Sequence, residues 1–529
     1  MNKLKISIYI SLLIFSSSAA DLIGRDSVFA WVFFNSKDTS CFNPVEYFEP
    51  GAIERRIKMG LNPCDYLDIP VSPHLIDSLS FYCIEVAGAS NWLNAALVKS
   101  EDMQLEIIGQ LGFVDFVEKY HSGETHIAGI SSSGHENPVP GDWIRQVELH
   151  GISIFEQNEL DGRGITIAVF DGGFPGVDTH TAFRHLHEED RIKATWDFAS
   201  NSADVYRYNN HGTAVLSCIC GIKDGNPAGM ATGSSFLLAR TELRGEPWKE
   251  ELYWIQAAEW ADRMGAGIIS SSLGYTYHRY FQSDMDGKKT PVARAANIAA
   301  GKGILVINCM GNEGDNDWKY AVSPADADSV LSVGGVDPDT GLHIEFSSLG
   351  PNMSGVSKPN VVASGKALAA SPDGWKTVYG TSFSAPLVTG FAACAWQLYP
   401  ELDNMEIFSL LECSGNLYPY YDYAHGYGIP EASRLLAYHR DEDMKNIEGI
   451  KTGSEPGSLV VYTDYLQAYK GEADNYLYYN FRDSENEIVS YGVYLLQGTA
   501  PLRIHYSESD DIKYCYLRTK DNYQQVKLR

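Results

Sequence analysis

Four short runs between residues 143 and 440 constrain the fold more than any other feature of the chain. They are 165–170, 235–239, 267–270 and 304–309, and each is apolar at nearly every position. A strand with one wet face alternates polar and apolar residues. A strand apolar on both faces belongs in a parallel sheet covered on each side by helices. Residues 248–264 and 292–301 supply the intervening helices. The expected architecture is an α/β unit with a doubly wound, mostly parallel sheet. Ligand sites in such units lie outside the carboxyl ends of the strands.

The flanks read differently. Residues 21–120 alternate strand-like segments (27–34, 83–87, 92–98, 113–117) with helical ones (50–59, 72–81, 101–111), which predicts a small α+β domain. Residues 121–142 are polar and rich in Ser, Gly and His, hence a linker open to proteolysis. A second linker is expected over 441–457, with Gly449, Gly453, Pro456 and Gly457. Residues 458–529 hold short apolar runs with no helical period, which predicts a small antiparallel β domain. At the other end, Met1-Asn2-Lys3-Leu4-Lys5 precedes an apolar run over 6–15 and a small-residue stretch ending in Ala19-Ala20. That is a secretory signal over 1–20, with cleavage after Ala20, and the product is expected outside the cell or in its envelope. The apolar run is too short to span a bilayer, and no other segment qualifies. No cysteine follows it to carry a lipid anchor.

A chain of 529 residues exceeds what one core supports. Its net charge of −27 repels nucleic acid and anionic membranes, so neither is an expected partner. The nine cysteines form no Cys-x-x-Cys or Cys/His metal spacing. Cys218, Cys309 and Cys394 fall in apolar runs and read as core thiols.

The chemistry concentrates in four places. Asp171 ends the run 165–170 and is followed by Gly172-Gly173, which let the chain turn sharply. His211 opens Gly212-Thr213-Ala214-Val215, the start of an apolar helix. Asn312 lies in Met310-Gly311-Asn312-Glu313-Gly314, just past the run 304–309. Ser382 lies in Gly380-Thr381-Ser382-Phe383-Ser384-Ala385-Pro386, before a helix expected over 385–399 with Pro386 in its first turn. A hydroxyl at a helix mouth, an imidazole base, a carboxylate to orient it and an amide to hold an oxyanion are the parts of a serine nucleophile. Each motif alone is a common turn or cap. Together, in the order Asp, His, Ser, they match one of the known triad orders. An esterase of the α/β-hydrolase type reverses that order and places its serine in Gly-x-Ser-x-Gly.

These stretches, with Ser271-Ser272-Leu273-Gly274, resemble the subtilisin-like serine peptidases, the subtilases, over about 150–440. The resemblance implies a subtilisin-like fold and a serine endopeptidase acting on protein or peptide substrates. It implies Asp171, His211 and Ser382 as triad and Asn312 as oxyanion donor. Ser272, Leu273 and Gly274 become the substrate edge, with Gly311 bordering the specificity pocket. Met310 and Gly311 then suggest a large apolar residue before the scissile bond, and Glu313 tolerance of a basic one. Chemistry of this kind requires no cofactor. Structural calcium is frequent among relatives, but no ligand set is assignable here, and the acidic stretch Asp315-Asn316-Asp317 reads first as a solvated loop. The sequence departs from the family at Gly172, usually Ser or Thr, at Ala214, often His, and at Phe383-Ser384. None of these removes a catalytic group, which a catalytically silent binding protein of the same fold would lack. The unit 21–120 resembles the N-terminal prosegment of secreted Bacteroidetes-type relatives, implying a self-processed zymogen inhibited by its own prosegment. The C-terminal unit weakly resembles their β-sandwich sorting domains, which implies possible surface attachment.

Overall fold

The computed structural model describes residues 27–40, 42–120, 142–243, 247–276, 279–437, 450–462, 475–496, 500–507 and 511–528. The proposed signal segment and most of both proposed linkers lie outside them. Seven parallel strands form the central sheet, in the order Val361–Ser364, Val330–Val336, Leu305–Cys309, Ile268–Ser271, Thr166–Asp171, Ser235–Arg240 and Ile192–Asp197. The period of two decides where each side chain goes. Ile167, Val169, Phe236, Leu238 and Ile307 join a core shared with the helices His211–Cys220 and Thr381–Leu398. Ala168, Phe170, Leu237, Ala239 and Val306 face the opposite core, against the helices Pro247–Arg263 and Pro291–Gly301. Both faces are buried, as the continuous apolar runs require.

Three strands of the sheet have no comparable run. Ile192–Asp197 lies at the edge, where one flank is open and Lys193 is exposed. Val330–Val336 carries Gly334 and Gly335, and Val361–Ser364 has only four residues.

The N-terminal unit is a four-stranded antiparallel sheet in the order Glu85–Ser90, Ala95–Glu101, Ser27–Phe34, Val114–Lys119. Two of these strands start two to three residues later than their apolar runs, because residues 91–94 form the turn between them, with Asn94 at φ 48°. One face, with Ala30, Val32, Phe34, Ala96 and Val98, packs on Leu79, Leu105 and Ile108 of its own helices. The other face, with Trp31, Phe33, Ala95 and Leu97, packs into the core around Pro247–Arg263 and Pro291–Gly301. The two units therefore share one hydrophobic core.

Charges reinforce that seam. Arg56 binds Asp68 through two hydrogen bonds (2.7 and 3.0 Å) and also Asp262, which takes Arg55 as well. Lys302 reaches Asp65 (2.8 Å) and Asp68 (2.9 Å). Glu259 accepts from the Ser90 hydroxyl (2.6 Å) and the Trp92 N–H (3.0 Å). Burial pushes the Glu259 carboxyl up to about 7, against the pull of those two donors.

The C-terminal unit is two antiparallel sheets. One orders Lys451–Glu455, Ser458–Tyr462 and Leu502–His505; the other orders Ile488–Leu495, Tyr476–Arg482, Tyr514–Arg518 and Tyr523–Lys527. Leu459, Val461, Leu477, Phe481, Ile504 and Leu517 are buried in one cluster. The linker expected over 441–457 needs correction at its end. Lys451–Glu455 is a strand, because Gly457 takes a positive φ of 65° and turns the chain back into a hairpin with Ser458–Tyr462. This unit is hydrogen-bonded to the α/β unit. Asn480 donates to the Tyr421 carbonyl (2.8 Å), and the Tyr420 hydroxyl donates to the Tyr479 carbonyl (2.9 Å).

Removing one partner of a buried ion pair strands the other without compensation and costs about 3–5 kcal/mol. Asp262→Ala should therefore loosen the N-terminal unit from the rest of the chain. Hydrogen exchange should show lost protection across residues 27–120, while the central sheet keeps its own.

Candidate active site

The site forms at the carboxyl ends of the central strands, where Thr166–Asp171, Ile268–Ser271 and Leu305–Cys309 stop. Asp171 is 1% exposed and pairs in register with Arg240. Its carboxylate accepts the Gly172 N–H at 2.7 Å. Arg240 holds the same turn, donating to the Gly172 carbonyl (3.2 Å) while its other arm is fixed by Asp197 (3.0 and 2.9 Å).

His211 is the first residue of its helix, and its Nδ1 lies 2.9 Å from both Asp171 oxygens. Such an approach leaves no room beside it. A Cβ on Gly212 would lie 2.5 Å from the Gly173 carbonyl oxygen and 2.8 Å from the Asp171 Cβ. Gly173 has φ 141°, and a Cβ there would meet the Arg207 carbonyl oxygen at 2.2 Å. Both glycines are sterically required. Burial works against a charged His211, but the adjacent Asp171 carboxylate and its hydrogen bond outweigh it and raise the imidazole pKa above its usual 6.5.

Ser382 belongs to the helix Thr381–Leu398, which begins four residues before the expected start at 385. Gly380, at φ 141°, supplies the sharp entry, and Thr381, Ser382, Phe383 and Ser384 form the first turn. Pro386 is consequently inside the helix and not in its first turn. Its missing N–H would have bonded the carbonyl four residues back, that of Ser382. The Ser272 hydroxyl takes that place, donating to the Ser382 carbonyl at 2.8 Å, and the Ser382 hydroxyl donates to the Ser272 carbonyl at 3.3 Å. The Phe383 ring lies 5.5 Å from the His211 ring, which brings the two helix starts together.

Asn312 meets the same helix start. Its Oδ1 accepts the Thr381 N–H (2.9 Å) and the Thr381 hydroxyl (3.0 Å), which fixes the plane of the amide. The Gly311 N–H points to the Thr381 hydroxyl at 3.3 Å. Leu273 offers its carbonyl to the Asn308 amide (2.9 Å). Beyond Gly274, Tyr275 pairs with Ser323. All eight residues singled out in the sequence thus lie around the Ser382 helix start or the adjoining strand ends. Thr381 was not singled out. Its hydroxyl stands in a Gly-Thr-Ser motif, but its partner Asn312 is 69 positions away. Ser272 was singled out only as a substrate edge.

Among the described residues, no group of three or more His, Cys, Asp or Glu is placed to hold a metal ion. In the stretch Asp315-Asn316-Asp317 all three residues are exposed, and Asn316 is engaged in capping the turn at Trp318 (2.8 Å). The eight described cysteines are free thiols, with Cys218, Cys309 and Cys394 buried.

Comparison with known proteins identifies the family. The model of the subtilase family matches residues 162–428, and that of the Bacteroidota propeptide domain of peptidase S8 matches 29–136. The serine protease AprX of Bacillus subtilis is 27% identical over 286 residues, 48% of this chain and 61% of AprX. A thermostable alkaline protease of Halalkalibacterium halodurans is 28% identical over 50% of this chain and 67% of its own length. The chain thus spans about three fifths of AprX. Among solved structures, the epidermin leader peptide processing serine protease of Staphylococcus aureus (an S393A mutant) superposes with a TM-score of 0.54. That match covers 78% of this chain and 99% of the other, at 17% identity, and so concerns the fold alone.

The His211 imidazole should titrate with a midpoint above 6.5 by NMR, and Asp171→Asn should bring it down. Because the folded value is raised, the pair stabilises the fold below about pH 6.5, and that contribution is lost as pH rises through the raised midpoint. Ser272→Ala leaves the Ser382 carbonyl without its donor inside a buried helix turn. It should cost about 1–3 kcal/mol in a denaturant melt.

Proposed function

The chain belongs to the subtilase family, and from that premise we propose that it is a secreted serine endopeptidase made as a zymogen, with Asp171, His211 and Ser382 as its triad. The observation that carries the proposal is the contact of His211 Nδ1 with both oxygens of the buried Asp171, at 2.9 Å, beside the helix start that presents Ser382.

A carboxylate at Nδ1 keeps the proton on that nitrogen and leaves Nε2 as the base. His211 takes the Ser382 proton as the oxygen attacks a substrate carbonyl. The imidazolium that forms is stabilised by Asp171, the same interaction that raises its pKa. The oxyanion is held by the Asn312 amide and the Ser382 N–H. Thr381 supports this role by taking Asn312 Oδ1, so the amide group of Asn312 is oriented before substrate arrives. His211 then protonates the leaving amine, and water releases the acyl group.

The unit matched by the propeptide model serves as prosegment and inhibits its own enzyme. It shares a core with the peptidase unit through Trp31, Phe33 and Leu97, so it is positioned to template folding before it is cut away. Secretion rests on the signal segment 1–20. No helix among the described residues is long and apolar enough to cross a membrane. The C-terminal β unit, bonded to the α/β unit through Asn480 and Tyr420, acts as an accessory domain.

A fluorophosphonate should label the processed protein at Ser382, and Ser382→Ala should abolish both labelling and the appearance of processed protein. Asn312→Ala should lower turnover by about 10²–10³ and leave labelling detectable but slow. Activity should fall as pH drops through the His211 midpoint. Unlabelled Ser382 in the processed enzyme would defeat the assignment.

A further inference from the structure

Two backbone segments flank the first turn of the Ser382 helix. One is 272–274, tied to Ser382 by the reciprocal Ser272 bonds. The other is 310–311, tied to the same turn through Gly311 and Thr381. On the endopeptidase reading above, the side chain that precedes the scissile bond enters between these walls. A third segment crosses between them. The Val322 N–H donates to the Met310 carbonyl (3.2 Å), and Tyr275 and Ser323 exchange backbone bonds (2.8 and 3.2 Å).

Val322 therefore has one wall on each side, and its side chain faces both. A Cβ on Gly274 would lie 2.2 Å from Val322 Cγ2, and one on Gly311 2.5 Å from Val322 Cγ1. Each methyl thus occupies the volume in front of one wall glycine. Val322 is 3% exposed. A β-branched side chain has few rotamers, and here its backbone is pinned to both neighbours, so it has little freedom to swing aside. Two other groups were expected to shape this pocket. Met310 is fully buried in the protein, and the Glu313 carboxylate is engaged by the Asn316 amide.

We propose that Val322 is a specificity-determining residue that fills the floor of the pocket for the residue preceding the scissile bond and restricts that residue to the size of Gly, Ala or Ser. The large apolar preference suggested by Met310 and Gly311 is replaced, because the space those residues border is taken by the Val322 methyls. The smallest side chains fit above the isopropyl group. A Phe or Leu would have to displace it from a close-packed position.

The test uses the processed enzyme and a peptide series differing only at that position. Wild type should cleave after Ala at least about tenfold faster, in kcat/KM, than after Phe or Leu, the scale that a few methylenes decide in an apolar pocket. V322A should narrow the ratio and V322G should reverse it toward Phe. Should V322G fail to fold, peptidyl phosphonates ending in Ala or Phe can be compared on wild type. Faster labelling of Ser382 by the Ala reagent supports the plug, and faster labelling by the Phe reagent overturns it. A wild-type preference for Phe or Leu, or a folded V322G with an unmoved profile, would overturn it as well. Each of these results leaves Ser382 reactive and the endopeptidase reading intact. Absence of both labelling and cleavage would instead defeat that reading, and the plug with it.

Discussion

Everything at the site depends on how closely the helix His211–Cys220 approaches the end of the strand Thr166–Asp171. The approach is set by what is missing. Neither Gly212 nor Gly173 carries a Cβ, and either one would collide with backbone or with Asp171 itself. With those atoms absent, an imidazole reaches a buried carboxylate at 2.9 Å. In such surroundings a charge is costly unless paired, and the pairing is strong enough to reverse the effect of burial on His211. The second helix, Thr381–Leu398, packs on the first and carries Ser382 to the same place. Its interior proline opens a gap in the hydrogen-bond ladder, and Ser272 fills it from the neighbouring strand end. Strand end and helix start are thus joined by a backbone defect that has been given a partner.

The opposite face of the sheet serves another purpose. There the helices Pro247–Arg263 and Pro291–Gly301 meet the N-terminal sheet, and the seam combines aromatic burial with a cluster of paired charges. Buried ion pairs are weak evidence of added stability, since desolvation offsets much of their attraction. They do penalise mispairing, because a shifted N-terminal unit would strand Asp262 and Lys302 without partners. The apolar contacts thus give the seam its affinity, and the charges fix its register. The N-terminal unit lies on these outer helices, while the helices that begin at His211 and Thr381 pack on the opposite face of the sheet.

Much of this was legible in the chain. Runs such as 165–170 and 304–309 are apolar on both faces, which only a covered parallel sheet satisfies. Glycines close to Asp171, His211, Asn312 and Ser382 mark places where the chain turns or packs closely at strand ends and helix starts. Strands such as Val361–Ser364 escaped notice, being too short to carry a period. Helix starts were harder still. The turn Thr381–Ser384 carries three small polar residues and one aromatic, so its helical character comes from the entry at Gly380 and from packing, neither of which leaves a periodic signal.

By itself the sequence determined the layer order, the chemical groups and their order along the chain, because periodicity and turn residues act locally. The tertiary structure alone decided distances and vacancies. That Asn312 is held by Thr381, that Ser272 completes the Ser382 turn, and that Val322 stands between Gly274 and Gly311 are facts about residues about ten to more than a hundred positions apart. Volume is shared in three dimensions, so no local pattern reports which side chain fills the space in front of a distant glycine.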